Sequence, residues 1–314
     1  MGAYIVRRLI QSAVLVFLVA SFMAIFIQLL PGDPAYTILG DKASPERAAA
    51  VRKQLGLDRP IYVQYVDWIG SVAHGDFGDS LISDRPILND LARRLPRTIE
   101  LIIASMILAI LVGIPLGVIA ANYRNQMPDI LVSIISLLGV STPVFVSGTL
   151  LLLVFGVRWH ILPATGYVSF TDSPWGHIEH LLMPAVTLAL LEAAVILRMT
   201  RSSLLEVLSE DYVRTARAKG LGQRIVLYHH ALRNALIPVV TIIGIQAGTM
   251  LGGTVIVEYI FNWPGVSTYL LAAINQRDYP VIQAIILIIA TLFVLLNLVT
   301  DLVYAAIDPR IKYG

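Results

Sequence analysis

Six long apolar segments constrain this chain more than any other feature of its sequence. They run over roughly residues 9–30, 99–121, 130–156, 181–198, 237–260 and 281–307. A helix needs about 20 mostly apolar residues to cross about 30 Å of hydrocarbon, and each segment approaches or exceeds that length. Inside hydrocarbon the backbone N–H and C=O groups must find partners without water. The expected fold is therefore all-α: an integral membrane protein of six transmembrane helices. Composition agrees: 57% of the 314 residues are apolar and only 14% charged, with a mean hydropathy of +0.75. Soluble domains are usually about a quarter charged. The formal net charge of +2 points away from a nucleic-acid partner. The absence of cysteine removes disulfides, thiolate metal sites and cysteine nucleophiles together.

Arg7 and Arg8 precede the first apolar run, which continues to Leu30 and ends at Pro31-Gly32-Asp33-Pro34 without a small-residue cleavage site. It is longer than a signal-peptide core, so it reads as a retained membrane helix. The third run is long enough to be tilted or broken, with Pro143 in its middle; Pro115 and Pro184 also sit in spans. Lys and Arg in short loops set orientation. With the N-terminus inside, the cytoplasmic side collects Arg7, Arg8, Arg124, Arg198, Arg201, Arg214, Arg217, Lys219, Arg224, Arg233, Arg310 and Lys312. The short outer loops then hold only Arg158 and Arg277. Both termini are expected in the cytoplasm.

The expected organisation is an N-terminal span (1–30), a partly helical outer segment (31–98), a core of five spans (99–307) containing a cytoplasmic loop (199–236), and a short tail (308–314). In the outer segment, Ser44-Pro45-Glu46 is a helix start and Gly56 a stop. A second stretch, 61–72, carries Tyr62, Tyr65 and Trp68, which suit a membrane interface. A third, 87–95, has an apolar stripe of Ile87, Leu88, Leu91 and Leu95.

The loop is the most informative stretch. Ser209 can cap a short helix that opens with Glu210 and Asp211, closes with Arg217 and Lys219, and stops at Gly220. A second helix is expected from Gln223 to about Asn234, with a span beginning near Pro238. Two short amphipathic helices between spans fit either a protein partner or an interfacial hairpin on anionic lipid.

Within the spans, Glu192 is the ionisable residue that most needs a reason, since a carboxylate at a helix centre costs about 3 kcal/mol on insertion scales. It could meet the amino group of a passing peptide, or be paired or hydrogen-bonded inside the bundle. Glu258 and Asp301 lie nearer span ends and read as structural. Gln246, Thr249 and Thr254, with Gly244, Gly248, Gly252 and Gly253, form a small, polar face suited to helix packing or to pore lining. Ser141 and Thr142 beside Pro143 can bond freed carbonyls or face a pore. His160, His177 and His180 are expected outside and His229 and His230 inside. None makes a spacing that defines a metal site, although His177 and His180 are i, i+3.

Arg214-Thr215-Ala216, Gly220 and Asn234-Ala235-Leu236-Ile237-Pro238 resemble the "EAA" loop of permease subunits in ATP-binding-cassette importers. The general pattern begins Glu-Ala-Ala and has a shorter gap from glycine to proline. Both departures match the dipeptide, oligopeptide, nickel and glutathione branch, where a string like Tyr212-Val213-Arg214-Thr215-Ala216-Arg217-Ala218-Lys219-Gly220 is usual. Pro31-Gly32-Asp33-Pro34, Gly75-Asp76-Phe77-Gly78, Met199-Thr200-Arg201-Ser202-Ser203, Phe261-Asn262-Trp263-Pro264-Gly265 and Arg277-Asp278-Tyr279-Pro280 extend the resemblance over the whole chain, which is similar to the DppB-like permeases of that branch.

The resemblance implies a type I importer permease (MetI-like) fold in a bacterial cytoplasmic (inner) membrane. It implies a second, DppC-like permease, two DppD/DppF-like ATPases that bind ATP and magnesium, and an external substrate-binding protein. The chain lacks a Gly-x-x-x-x-Gly-Lys-Ser/Thr phosphate loop, so no nucleotide site and no catalysis of its own are expected. Tyr212, Arg214, Thr215, Ala216, Arg217, Ala218, Lys219, Gly220 and Leu221 are the implied ATPase-coupling residues. Glu192, Gln246, Thr249, Ser141 and Thr142 are the pore candidates. The implied cargo is a di- or oligopeptide, then glutathione, then a nickel complex. A secondary transporter driven by an ion gradient would show inverted repeats and several midplane carboxylates; the sequence offers Glu192 and no convincing repeat. A membrane-embedded enzyme would need a nucleophile–base or metal-ligand pattern, and the sequence shows none.

Overall fold

The computed structural model describes residues 2–29, 35, 44–54 and 58–307. Among these the regular structure is helical, apart from one isolated antiparallel bridge between Asp79 and Pro86. The helices are α1 (Gly2–Leu29), α2 (Pro45–Gln54), α3 (Ile61–Ala73), α4 (Ile87–Asn122), α5 (Met127–Ser141), α6 (Val144–Arg158), α7 (Pro174–Leu208), α8 (Asp211–Ala218), α9 (Gln223–Ile260), α10 (Val266–Gln276) and α11 (Tyr279–Ile307). Five stretches are long and apolar enough to cross a membrane: Val6–Ile25, Ile87–Asn122, Pro174–Leu208, Gln223–Ile260 and Tyr279–Thr300. The pair α5–α6 makes a sixth if it is one span bent by 104° at Thr142–Pro143. Proline ends α5 because it offers no N–H to the preceding turn and pushes the residue before it out of the helical region. Thr142 accordingly takes an extended conformation at ψ 120°.

Two expected helix boundaries move. The stretch 87–95 is not separate from the second apolar run: α4 continues through Pro96 into it as one rod. Its stripe buries Ile87 and Leu91, whereas Leu88 is exposed. The hairpin's second helix likewise has no break before Pro238. The chain from Gln223 is helical to Ile260, with a π-helical segment at Val226–Ala231 and Pro238 inside the rod. The expected stop at Gly56, the Pro31–Pro34 motif and the tail from 308 lie outside the described residues. Helix α2 does begin at Pro45, directly after Ser44.

The chain divides into two compact units, Met1–Thr98 with Pro264–Leu298, and Ile99–Trp263 with Val299–Gly314. In the first, Ile87, Leu91, Val266, Ala273, Val281, Ala284 and Ile285 form a buried core. Three polar ties bind it: Ser80 Oγ donates to Asp278 at 2.5 Å, Leu81 N–H donates to the same carboxylate at 3.2 Å, and Val266 N–H donates to Thr98 Oγ1 at 2.9 Å. Arg94 lies over the Tyr269 ring, 4.8 Å from its centroid. Burial pushes the Tyr269 phenol up to about 12, and the nearby Asp90 charge adds to the shift.

The second unit is organised around α7, which packs against α9 and α5. Its start is capped by Ser173, whose Oγ accepts from Gly176 N–H at 3.1 Å, with Pro174 in the first turn. Helix α4 approaches α7 through Gly113 and Gly117. A Cβ on Gly113 would stand 2.8 Å from the Ala193 carbonyl oxygen, and one on Gly117 would stand 2.6 Å from Thr200 Cβ. Such close approach of helix backbones is what small-xxx-small spacing permits. Gly244 on α9 does the same against Thr300. Gly252, on the same expected face, meets open space.

Candidate functional site

The hairpin between α7 and α9 is built on one small apolar contact. Val213 and Ala216 on α8 and Val226 on α9 are buried together, with Val207 and Leu208 from the end of α7 against them. Helix α8 has two turns, too short to persist in water alone, so this contact is what keeps it helical. Its start departs from expectation. Ser209 closes α7 instead, donating from Oγ to the Glu206 carbonyl at 2.6 Å, and Glu210 stands at the α8 N-cap without a side-chain cap bond. Only Ser209 and Glu210 separate the two helices, so the serine is already engaged by the first.

The far end of α8 is as expected. Gly220 has φ +78°, a left-handed conformation that costs glycine little. Its N–H donates to the Arg217 carbonyl at 2.9 Å, and Leu221 N–H donates to the Ala216 carbonyl at 3.4 Å. This pair of bonds is the Schellman closure of a helix. Gly220 therefore fixes where the chain turns back toward α9.

The nine residues named from the sequence divide by role. Ala216 is buried against Val213 and Val226. Tyr212 is half-exposed, and its hydroxyl accepts from Asn234 Nδ2 at 2.8 Å, joining α8 to α9. Arg214, Thr215, Arg217, Ala218, Lys219, Gly220 and Leu221 are exposed. The Arg214–Asp211 ion pair at 3.3 Å is almost wholly in solvent and adds little stability. The hairpin thus hides one face and presents a continuous, basic, mostly unencumbered one.

Two polar clusters sit higher on α7. Glu192 is buried and accepts from Gln246 Nε2 at 2.7 Å, so two of the five pore candidates meet as a stitch between α7 and α9. Thr249 is exposed, its Oγ1 donating to the Gln246 carbonyl at 2.9 Å. Ser141 and Thr142 stand at the α5–α6 bend, where Thr142 Oγ1 donates to the Leu138 carbonyl and lines an apolar cavity of about 320 Å³. Among the described residues no hydrogen bond joins either to Glu192 or Gln246.

The second cluster escaped sequence reasoning. Asp129, on the first turn of α5, accepts two bonds from Arg201 on α7, from Nε at 2.6 Å and from Nη2 at 2.8 Å. It also accepts from Asn125 N–H at 2.9 Å. The fork-to-fork geometry is the strong form of an arginine–carboxylate pair. Asn125 itself is left-handed at φ +63°, so Asp129 pins the turn between α4 and α5 as well as the α5–α7 contact. Arg201 was visible within the Met199–Ser203 string; its partner, 72 residues away, was not.

At the opposite end of α7, His177 is buried, with Nδ1 2.7 Å from the Val168 carbonyl and Nε2 2.8 Å from Glu100 Oε1. His180 Nδ1 instead reaches the Gly176 carbonyl. The i, i+3 pair therefore serves different partners. Tyr167 packs edge-on against both His177 and Trp263, and Trp263 is completely buried.

The described chain is a helical protein with membrane-length spans, a bent helix pair, a proline-bearing central helix and a short hairpin between two long spans. Residues 113–313 match the family described as binding-protein-dependent transport system inner membrane component, and residues 1–102 match the N-terminal part of such components. The chain belongs to that family. It is 44% identical over 333 residues to the dipeptide transport system permease protein DppB of Alkalihalophilus pseudofirmus, covering all of both chains. It is 46% identical over 310 residues to the glutathione transport system permease protein GsiC of Escherichia coli K12, covering 99% of each. Its fold matches that of an inward-facing methionine transporter, MetNI, with TM-score 0.58 and 20% identity over 70% of this chain and 96% of the other. An amino-acid transporter structure matches with TM-score 0.54, 14% identity and coverage of 70% and 94%. The expected resemblance and pore role are therefore upheld: this chain is a DppB-like transmembrane permease subunit of an ATP-binding-cassette importer.

Proposed function

We propose that this permease forms half of a peptide pathway through the bacterial cytoplasmic membrane, and that an ATPase grips it by the α8 hairpin. One observation carries the reading: an eight-residue helix held on one apolar face, closed by a left-handed glycine, with its basic face turned outward between two long spans. The Lys and Arg clustered in the hairpin and beside both termini, against two in the short loops of the other side, support a cytoplasmic hairpin and cytoplasmic termini. On this reading the bent α5–α6 pair is one span, giving six.

The working assembly is a heterodimer with a sister permease, two ATPases that bind ATP and magnesium, and an external binding protein that delivers cargo. Arg214, Thr215, Ala218, Lys219, Gly220 and Leu221 form the docking face, Arg217 stands at its edge toward the end of α4, and Tyr212 and Ala216 hold the hairpin in place. Glu192 and Gln246 stitch α7 to α9 and meet cargo only if those helices part; Thr249, Ser141 and Thr142 remain pore-lining candidates. A di- or oligopeptide is the first substrate class, supported by the DppB relative. Glutathione, itself a small peptide, is the second reading, supported by the GsiC relatives.

Cysteine placed at Thr215 or Lys219 tests the docking directly. Cross-linking to the cognate ATPase in membranes, and its change on addition of ATP, is the expected result. Labelling of those cysteines by an impermeant reagent from outside intact cells would overturn it.

A further inference from the structure

A cavity of about 250 Å³ opens between the end of α4, the end of α7 and the hairpin. Its floor includes Leu205 and Leu208, and its rim carries Asn122, Arg124, Arg217 and Gln223; among the described residues no acidic side chain lines it. The two arginines come from different elements, Arg124 from the turn after α4 and Arg217 from α8. That turn is not loose: Asn125, next to Arg124, is held by Asp129, which Arg201 grips with two bonds. Asn122 Oδ1 accepts from Gln223 Nε2 at 3.4 Å, so the two amides that line the cavity also join the end of α4 to the start of α9.

Donors and positive charge without an acidic counterpart select an anion. Planar guanidinium forks match the paired oxygens of a phosphate. We propose that this cavity binds a phosphate group bridging Arg124 to Arg217, and that its source is the headgroup of an anionic phospholipid. The apolar run of α4 ends at Ala121, so the cavity opens where a helix leaves hydrocarbon, and its leucine floor suits the glycerol end of a lipid. Occupancy would tie the hairpin to the α4–α5 turn, so bound lipid would stiffen the element the ATPase moves. The lipid source rests on the proposed placement of the hairpin at the inner leaflet; the anion site does not.

The test uses the assembled transporter in mild detergent, titrated with phosphatidylglycerol or with phosphatidylcholine of the same chains and read by native mass spectrometry. Phosphatidylglycerol should be retained about five- to tenfold more tightly, the worth of roughly one well-placed arginine near a lipid surface. Arg124→Gln should remove most of that preference, and Arg124→Lys should keep most of it. Phosphatidylglycerol retention that resists millimolar inorganic phosphate supports the lipid source. Displacement by inorganic phosphate supports the same site with a soluble source. Equal retention of both lipids by the wild-type protein, or a preference unchanged in Arg124→Gln with Arg217→Gln, overturns the site. Failure of the hairpin reading would appear separately, as uptake that needs no ATPase while lipid retention stands.

Discussion

Helix α7 carries two polar groups that lipid would not tolerate, and the protein treats them differently. Near its end, Arg201 meets a full counter-charge: Asp129 accepts two bonds from it and, with a third from Asn125 N–H, fixes a turn. Toward its middle, Glu192 is given only an amide, one bond from Gln246. At the span's end a salt bridge can be built because Arg201 still reaches water, with 29% of its side chain exposed. Deeper in, a guanidinium would itself have to be desolvated, so a neutral partner costs less. The first cluster holds elements together; the second leaves a seam that can part without stranding two charges.

The largest effect is expected on a third face of the same helix, where α7 packs against α4. Gly113→Val drives a side chain against the Ala193 carbonyl oxygen, an atom of backbone that cannot turn aside. A loss of roughly 3 kcal/mol or more is expected, read as failure to assemble or a collapsed melting temperature in detergent. A normally assembled Gly113→Val transporter would mean that α4 and α7 do not approach as described.

Next in size, Asp129→Ala should cost about 2–3 kcal/mol, somewhat below the roughly 3–5 kcal/mol of a fully buried pair because Arg201 keeps access to water. A double-mutant cycle with Arg201→Ala should show that the two losses do not add. Strict additivity would reduce the pair to two independent surface groups. Glu192→Gln should be milder. The substituted amide can still accept from Gln246, so melting should move by no more than about 1 kcal/mol. Uptake should persist, and its loss in a fully assembled variant would move Glu192 from the seam into the pathway. Smallest of all, Tyr212→Phe removes one exposed hydrogen bond to Asn234, an effect of about 0.5–1 kcal/mol detectable as faster proteolysis of the hairpin.

Much of this architecture is legible in the sequence for a simple reason: hydrocarbon leaves few choices. Apolar runs announce helices, and basic loops suggest which side they leave from. The hairpin was readable in part: the stop at Gly220 obeys a local capping rule, whereas its start and the length of its second helix do not follow from local signals. What could not be read was long-range. Asp129 stands one residue before an apolar run and looks like a loop residue until Arg201 is folded beside it. His177 looks like outer-loop polarity until Glu100 and Trp263 enclose it. Ser209 closes α7 rather than opening α8 because two helices compete for one serine, and local rules cannot rank them. Gly113 and Gly117 do carry a signal in the sequence, the i, i+4 spacing of small residues that permits close helix approach.

The most direct measurement of the central claim is the number of substrate molecules imported per ATP hydrolysed by reconstituted transporter bearing Gly220→Val. Valine resists the left-handed turn at φ +78°, so the Schellman closure must open and the basic face lose its position. ATP hydrolysis that continues while import per ATP falls at least about tenfold is the expected result, corresponding to roughly 1.4 kcal/mol of lost coupling. Import that keeps its wild-type ratio to hydrolysis in a stably assembled Gly220→Val transporter would contradict the account, because force would then be entering the permease somewhere else.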